Sequence, residues 1–121
     1  MKSCLVVDDS RVVRKVACRI MNDLGFSTEE AEDGVTALES VRGHMPEMIL
    51  LDWNMPNMTG VEFLRALRRE RNGTQPVVVF CTTENDVDHI TEALGAGANE
   101  YVMKPFDYEI LKAKLAEVGL V

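Results

Sequence analysis

An alternation constrains this chain more than any other feature. Four uninterrupted apolar runs of strand length, Cys4 to Val7, Met48 to Leu51, Val77 to Phe80 and Tyr101 to Met103, are separated by stretches whose apolar residues recur every three or four positions. Continuous apolar runs suit strands covered on both faces, as in a parallel sheet. A weaker segment near Ser27 to Ala31 reads as an edge strand. Between them, Val12, Val13, Val16, Ala17, Ile20, Met21 and Leu24 form a helical stripe, with Arg11, Arg14, Lys15 and Arg19 off it. Further stripes run through Val35, Leu38 and Val41, through Val61, Leu64 and Leu67, through Val87, Ile90, Ala93 and Leu94, and through Ile110, Leu111, Leu115 and Val118. Gly25, Gly43, Gly73 and the stretch from Gly95 to Gly97 supply stops, and Asp107 supplies an N-cap. Five strands alternating with five helices predict a doubly wound α/β domain.

With 121 residues, the expectation is a single domain over 1–121 with no output domain. Twenty acids against thirteen bases leave a net charge of −7, which argues against a surface made for nucleic-acid phosphates or anionic lipids. The three cysteines, Cys4, Cys18 and Cys81, are an odd number without CxxC spacing and read as free thiols of a reducing compartment. No apolar run approaches the roughly 18 residues needed to span a bilayer. The N-terminal strand runs straight into Asp8 and Asp9 instead of forming a signal peptide. A cytoplasmic, monomeric protein is expected.

The informative residues follow the apolar runs. Asp8 and Asp9 come after the first, Asp52 after Leu51, Thr82 after Phe80 and Cys81, and Lys104 after Met103. In an open parallel sheet, ligands bind beyond the carboxyl ends of the strands. Four separate stretches thus deliver three carboxylates, a hydroxyl and an ammonium to one rim. Clustered carboxylates repel one another unless a cation neutralises them. An all-oxygen donor set without His or Cys selects a hard ion, and Mg²⁺ is the intracellular choice. Lys104 and Thr82 are suited to phosphoryl oxygens. A single aspartate at a strand end would ordinarily be a turn or cap residue; the coincidence of the whole set points to phosphoryl chemistry on a carboxylate.

The stretches VVDDS, LLDWNMPNMTG, CTTEND and EYVMKPF, with AEDGVTAL and GAGANEYV, resemble the receiver domain of bacterial two-component response regulators, in its single-domain, CheY-like chemotaxis form. That resemblance spans essentially the whole chain. It implies a five-stranded parallel sheet of order 2-1-3-4-5 flanked by five helices. It also implies that Asp52 is the phosphoacceptor, charged by a sensor histidine kinase in a Mg²⁺-dependent reaction. Asp9, Asp52 and the backbone carbonyl of Asn54 would hold the metal directly, and Asp8 through water. Lys104 would pair with Asp52 or the phosphoryl group, Thr82 would hydrogen-bond the phosphoryl group, and Tyr101 would turn inward as the switch. A cis bond is implied between Lys104 and Pro105. Asn54 and Glu84 resemble the pair that flanks the attacking water, which implies quick self-dephosphorylation. The implied output face is the fourth helix, fifth strand and fifth helix, acting on a motor switch or another pathway protein, with a phosphatase as a further partner.

Thr83 departs from the small residue usual at its position, and its β-branched side chain is expected to narrow the mouth of the site. His44 and His89 read as surface residues, and Arg65, Arg68, Arg69 and Arg71 as a solvated helix face. Seven acids, Glu84, Asp86, Asp88, Glu92, Glu100, Asp107 and Glu109, lie in a stretch whose only base is Lys104, so a basic docking segment on the partner is expected. Within the same family the alternatives are a phosphorelay shuttle or phosphate sink, or a pseudo-receiver. A haloacid-dehalogenase-type phosphohydrolase would need DxD where this chain has DDS. A flavodoxin-like nucleotide module would need a Gly- or Ser/Thr-rich phosphate loop there.

Overall fold

The computed structural model describes residues 2–83 and 87–121. Ten elements alternate as the apolar pattern predicts: β1 (Lys2–Val7), α1 (Arg11–Asp23), β2 (Phe26–Ala31), α2 (Gly34–Gly43), β3 (Met48–Asp52), α3 (Gly60–Arg69), β4 (Val77–Thr82), α4 (Val87–Gly95), β5 (Glu100–Met103) and α5 (Tyr108–Glu117). The strands are all parallel, in the order β2-β1-β3-β4-β5. The weak segment is therefore an edge strand, β2, whose sequence FSTEEA buries only Phe26 and Ala31.

The two-residue period of a strand sends alternate side chains to opposite faces, and two cores result. Leu5, Val7, Ile49, Leu51, Val78 and Phe80 join α2 and α3 on one face. Cys4, Val6, Met48, Leu50, Val79, Cys81 and Val102 join α1 and α5 on the other. Helix starts are fixed locally. Ser10 and Asp107 accept from the backbone three residues on, and Asp33 with Thr36 and Thr59 with Glu62 form reciprocal capping boxes.

Hydrophobic spacing misplaced part of several helical faces. The buried stripe of α1 is Ala17, Cys18, Ile20 and Met21, whereas Val12 is 72% exposed and Val16 is 49% exposed. Val12, Val13 and Val16 line an apolar groove of about 340 Å³ with Thr83, Lys104, Pro105 and Phe106. Val35, Val87, Leu94 and Ile110 are exposed as well. Spacing identifies a helical face but not where the neighbouring element stops covering it. Arg68 also departs from its expected place on a solvated face. It is half-buried, and its guanidinium donates to the carbonyls of Gly73, Pro76 and Gly97 and to Asn99 Oδ1, tying α3 to the turn before β5. The three cysteines are free and buried, and burial pushes the Cys81 thiol far up, which leaves it unreactive.

Candidate functional site

Strand register assembles the site. Val7 pairs with Leu51, so Asp8 and Asp52 follow at adjacent strand ends. Asp52 pairs with Cys81, and Thr82 with Met103, so Thr82 and Lys104 each fall one step further along the rim. Backbone bonds extend the ladder past the strands: Trp53 N donates to Cys81 O at 3.1 Å, and Lys104 N donates to Thr82 O at 2.8 Å. The Lys104–Pro105 bond is cis.

Three of the five expected side chains are linked directly. Lys104 Nζ lies 2.9 Å from Asp52 Oδ1 and 3.0 Å from Asp8 Oδ2, so one ammonium is shared by two carboxylates. Asp8 Oδ1 also accepts from Ser10 N at 2.8 Å. Asp8 and Asp52 are each 4% exposed, whereas Asp9 is exposed at the mouth. Oxygens of Asp8, Asp9 and Asp52 all lie within 4.8 Å of one another. Thr82 is fully buried at the end of β4. Asn54 is exposed in the loop after β3, and Thr83 is exposed beside the groove. Glu84 lies outside the described residues.

The electrostatics follow from this packing. Burial raises the Asp52 carboxyl above its ordinary range; the hydrogen bond from Lys104 opposes the shift, and the charges of Asp8 and Asp9 add to it. Burial works against the Lys104 ammonium, but its hydrogen bonds to Asp52 and Asp8 outweigh that effect and raise its pKa. Two buried carboxylates therefore share one fixed cation while the third, Asp9, lies beside them at the mouth, which is anionic and all-oxygen. Such a donor set fits a hard divalent ion. Its residues are those from which Mg²⁺ was expected.

Several neighbours were not legible in advance. Gly60 opens α3 directly under the site: a Cβ there would sit 2.4 Å from Asp52 O and 2.9 Å from Trp53 Cα. These are backbone atoms and cannot rotate away, so Gly60→Ala must shift the end of β3. A loss of about 1–3 kcal/mol is expected, read as a lower melting temperature. Gly43→Ala, where nothing lies within 4 Å, should leave it unchanged or slightly raised. Asn57, at φ 68°, donates from its side chain to Asp33 Oδ2 at 3.1 Å and so pins the loop after β3 to the start of α2.

His89 is half-buried, not a surface residue. Its ring stacks on Trp53 with centroids 4.4 Å apart. The large apolar contact of two flat rings links α4 to the residue after Asp52. Tyr101 is partly buried with Lys114 Nζ 4.7 Å from its ring centroid. Lys114 also pairs with Glu100 at 3.6 Å, and Arg65 pairs with Glu92 at 3.8 Å. The acidic stretch is thus partly neutralised by bases from α3 and α5, which sequence distance concealed.

Comparison with known proteins agrees with this geometry. The response regulator receiver domain matches residues 4–116. The chain is 41% identical over 115 residues to the chemotaxis protein CheY of Pseudomonas aeruginosa, covering 94% of this chain and 93% of that one. It is 37% identical over 115 residues to chemotaxis protein CheY-3 of Vibrio cholerae, covering 94% and 88%. The structure superposes on Vibrio cholerae chemotaxis protein CheY4 with a TM-score of 0.92 at 34% identity, covering 98% of each chain. Among the described residues no helix is long and apolar enough to cross a membrane.

Proposed function

The chain belongs to the response regulator receiver family, and from that premise we propose that it is a single-domain, Mg²⁺-dependent phosphoacceptor of the chemotaxis type. In this reading Asp52 takes a phosphoryl group from a phosphohistidine on a sensor kinase. The supporting observation is the placement of Asp52: a buried carboxylate held by Lys104 beside two further carboxylates at the carboxyl rim of the sheet.

A lone pair of the Asp52 carboxylate forms the new O–P bond while the P–N bond to the donor imidazole breaks, and its electron pair leaves with the imidazole. A carboxylate is a competent nucleophile at neutral pH and needs no adjacent base. Lys104, already 2.9 Å from Asp52, neutralises one equatorial oxygen as it arrives, and the Thr82 hydroxyl donates to another. Asp9, Asp52 and the Asn54 carbonyl would hold Mg²⁺, with Asp8 as a water-mediated partner, and the ion would supply the remaining charge neutralisation. In the separate hydrolytic step, in which water attacks phosphorus and the Asp52 O–P bond breaks, Asn54 and Glu84 are assigned to flank the water. Movement of Thr82 toward the phosphoryl group frees space for Tyr101, which biases the face formed by α4, β5 and α5 toward its protein target.

Incubation with a small acyl phosphate and Mg²⁺, followed by intact-mass measurement, is expected to add one phosphoryl group, and EDTA should prevent it. Equal uptake with and without chelator, or none with Mg²⁺, would refute the reading.

A further inference from the structure

Arg14 is not among the residues assigned above, yet it is held far more tightly than its neighbour: its side chain is 13% exposed against 59% for Lys15. The guanidinium reaches in two directions. Nη1 donates to the backbone carbonyl of Asp8 at 2.7 Å. Nε donates to Glu30 Oε1 at 3.0 Å, and Glu30 Oε2 accepts from Lys15 at 2.6 Å. Arg14 thus braces the loop after β1 against β2, the edge strand.

The carbonyl it holds belongs to the rigid peptide plane that joins Asp8 to Asp9. The Asp8 amide is already tied to Ala31 O at 3.1 Å, and the Asp8 carboxylate to Ser10 and Lys104. What those bonds leave soft is rotation of the plane that carries Asp9. Among the described residues no hydrogen bond or ion pair holds the Asp9 carboxylate itself, so that backbone fixes where its side chain starts and only its own two torsions remain to be set.

We propose that Arg14 is a positioning residue for the divalent cation: by fixing the Asp8–Asp9 peptide it presents the Asp9 carboxylate ready to bind. The inference rests on the Mg²⁺ reading of the site. Its sign is opposite to that of simple electrostatics. A guanidinium near a cation site repels the incoming ion, so charge alone says that removing Arg14 tightens binding. Preorganisation says that removal weakens it, because the ion must then order the loop. Partners that orient metal ligands are typically worth about 10- to 100-fold in affinity.

The test is the Mg²⁺ dissociation constant of the full chain. It is read from the fluorescence of Trp53, the sole tryptophan and the residue after Asp52, for wild type, Arg14→Met and Arg14→Lys. Amide hydrogen exchange at residues 9 and 10 of the Mg²⁺-free protein is followed in parallel. Arg14→Met should weaken Mg²⁺ binding about tenfold or more and speed exchange at both amides before any metal is added. Arg14→Lys keeps the charge but loses the two-way fork, and it should weaken binding in the same direction. Unchanged or tighter binding in Arg14→Met, with wild type binding normally, would overturn the inference alone. A wild type that binds no Mg²⁺ would overturn the metal reading together with it.

Discussion

Replacing Asp52 by Asn is expected to abolish phosphoryl uptake and, at the same time, to raise the melting temperature of the Mg²⁺-free protein at neutral pH. The first effect follows from loss of the nucleophile, since an amide oxygen carries no charge to attack phosphorus. The second follows from the environment that makes Asp52 useful. Burial and the neighbouring Asp8 and Asp9 hold its carboxyl above the ordinary range in the folded state. A folded-state value above the unfolded one means that the native protein binds that proton more tightly. Stability therefore rises as pH falls through the folded value toward the unfolded one, near 3.9. At neutral pH the ionised group opposes folding, and an amide removes that opposition while Lys104 keeps Asp8 as a partner. The advantage of Asp52→Asn should thus shrink as pH approaches 4 and as Mg²⁺ is added to wild type. At this chain length a gain of about 1 kcal/mol moves the midpoint by roughly 4 °C, which calorimetry resolves. A variant that melts lower than wild type in EDTA would contradict the reading of the site as a cluster of strained charge.

Lys104→Met should have the opposite sign. It preserves most of the apolar stem while removing the single ammonium between Asp8 and Asp52, each 4% exposed. Removing one partner of a buried ion pair costs about 3–5 kcal/mol because the other charge is left uncompensated. Lys104 is itself 15% exposed, so the lower end, about 3 kcal/mol, is expected, or roughly 10 °C at this size. Two conditions should restore the loss. Mg²⁺ can substitute for the missing charge, so it should stabilise the variant more than wild type, as binding to the native state alone requires. Falling pH should narrow the deficit as Asp52, whose carboxyl burial holds above its ordinary range, takes up a proton. Equal Mg²⁺ stabilisation of both proteins would show that the ammonium and the ion do not share one site.

How far these features were legible depends on whether their causes are local. The alternation was legible because runs such as MILL and VVVF are apolar without interruption, which only a sheet covered on both faces requires. The five polar groups of the rim were legible because each follows such a run directly or one residue later. Strand β2 was faint because an edge strand buries only part of itself, here Phe26 and Ala31. Val12 and Val16 were misplaced because their helical spacing is correct while, among the described residues, no element covers that end of α1. Arg68 and Arg14 were hidden for a shared reason. Each satisfies backbone carbonyls, of Gly97 in one case and Asp8 in the other, and a carbonyl's need for a donor leaves no mark in side-chain identity. The stack of His89 on Trp53 joins residues 36 apart, and nothing in either local sequence signals it.

The most direct measurement is chemical trapping of the phosphorylated protein. Borohydride reduces an acyl phosphate to the alcohol, so an aspartyl phosphate becomes homoserine and can be located by peptide sequencing. Protein incubated with a small acyl phosphate and Mg²⁺ should carry homoserine at position 52, and a sample containing EDTA should carry none. Homoserine at position 8 or 9, or an unaltered Asp52 in protein that has gained the phosphoryl mass, would contradict the assignment of Asp52 as the phosphoacceptor.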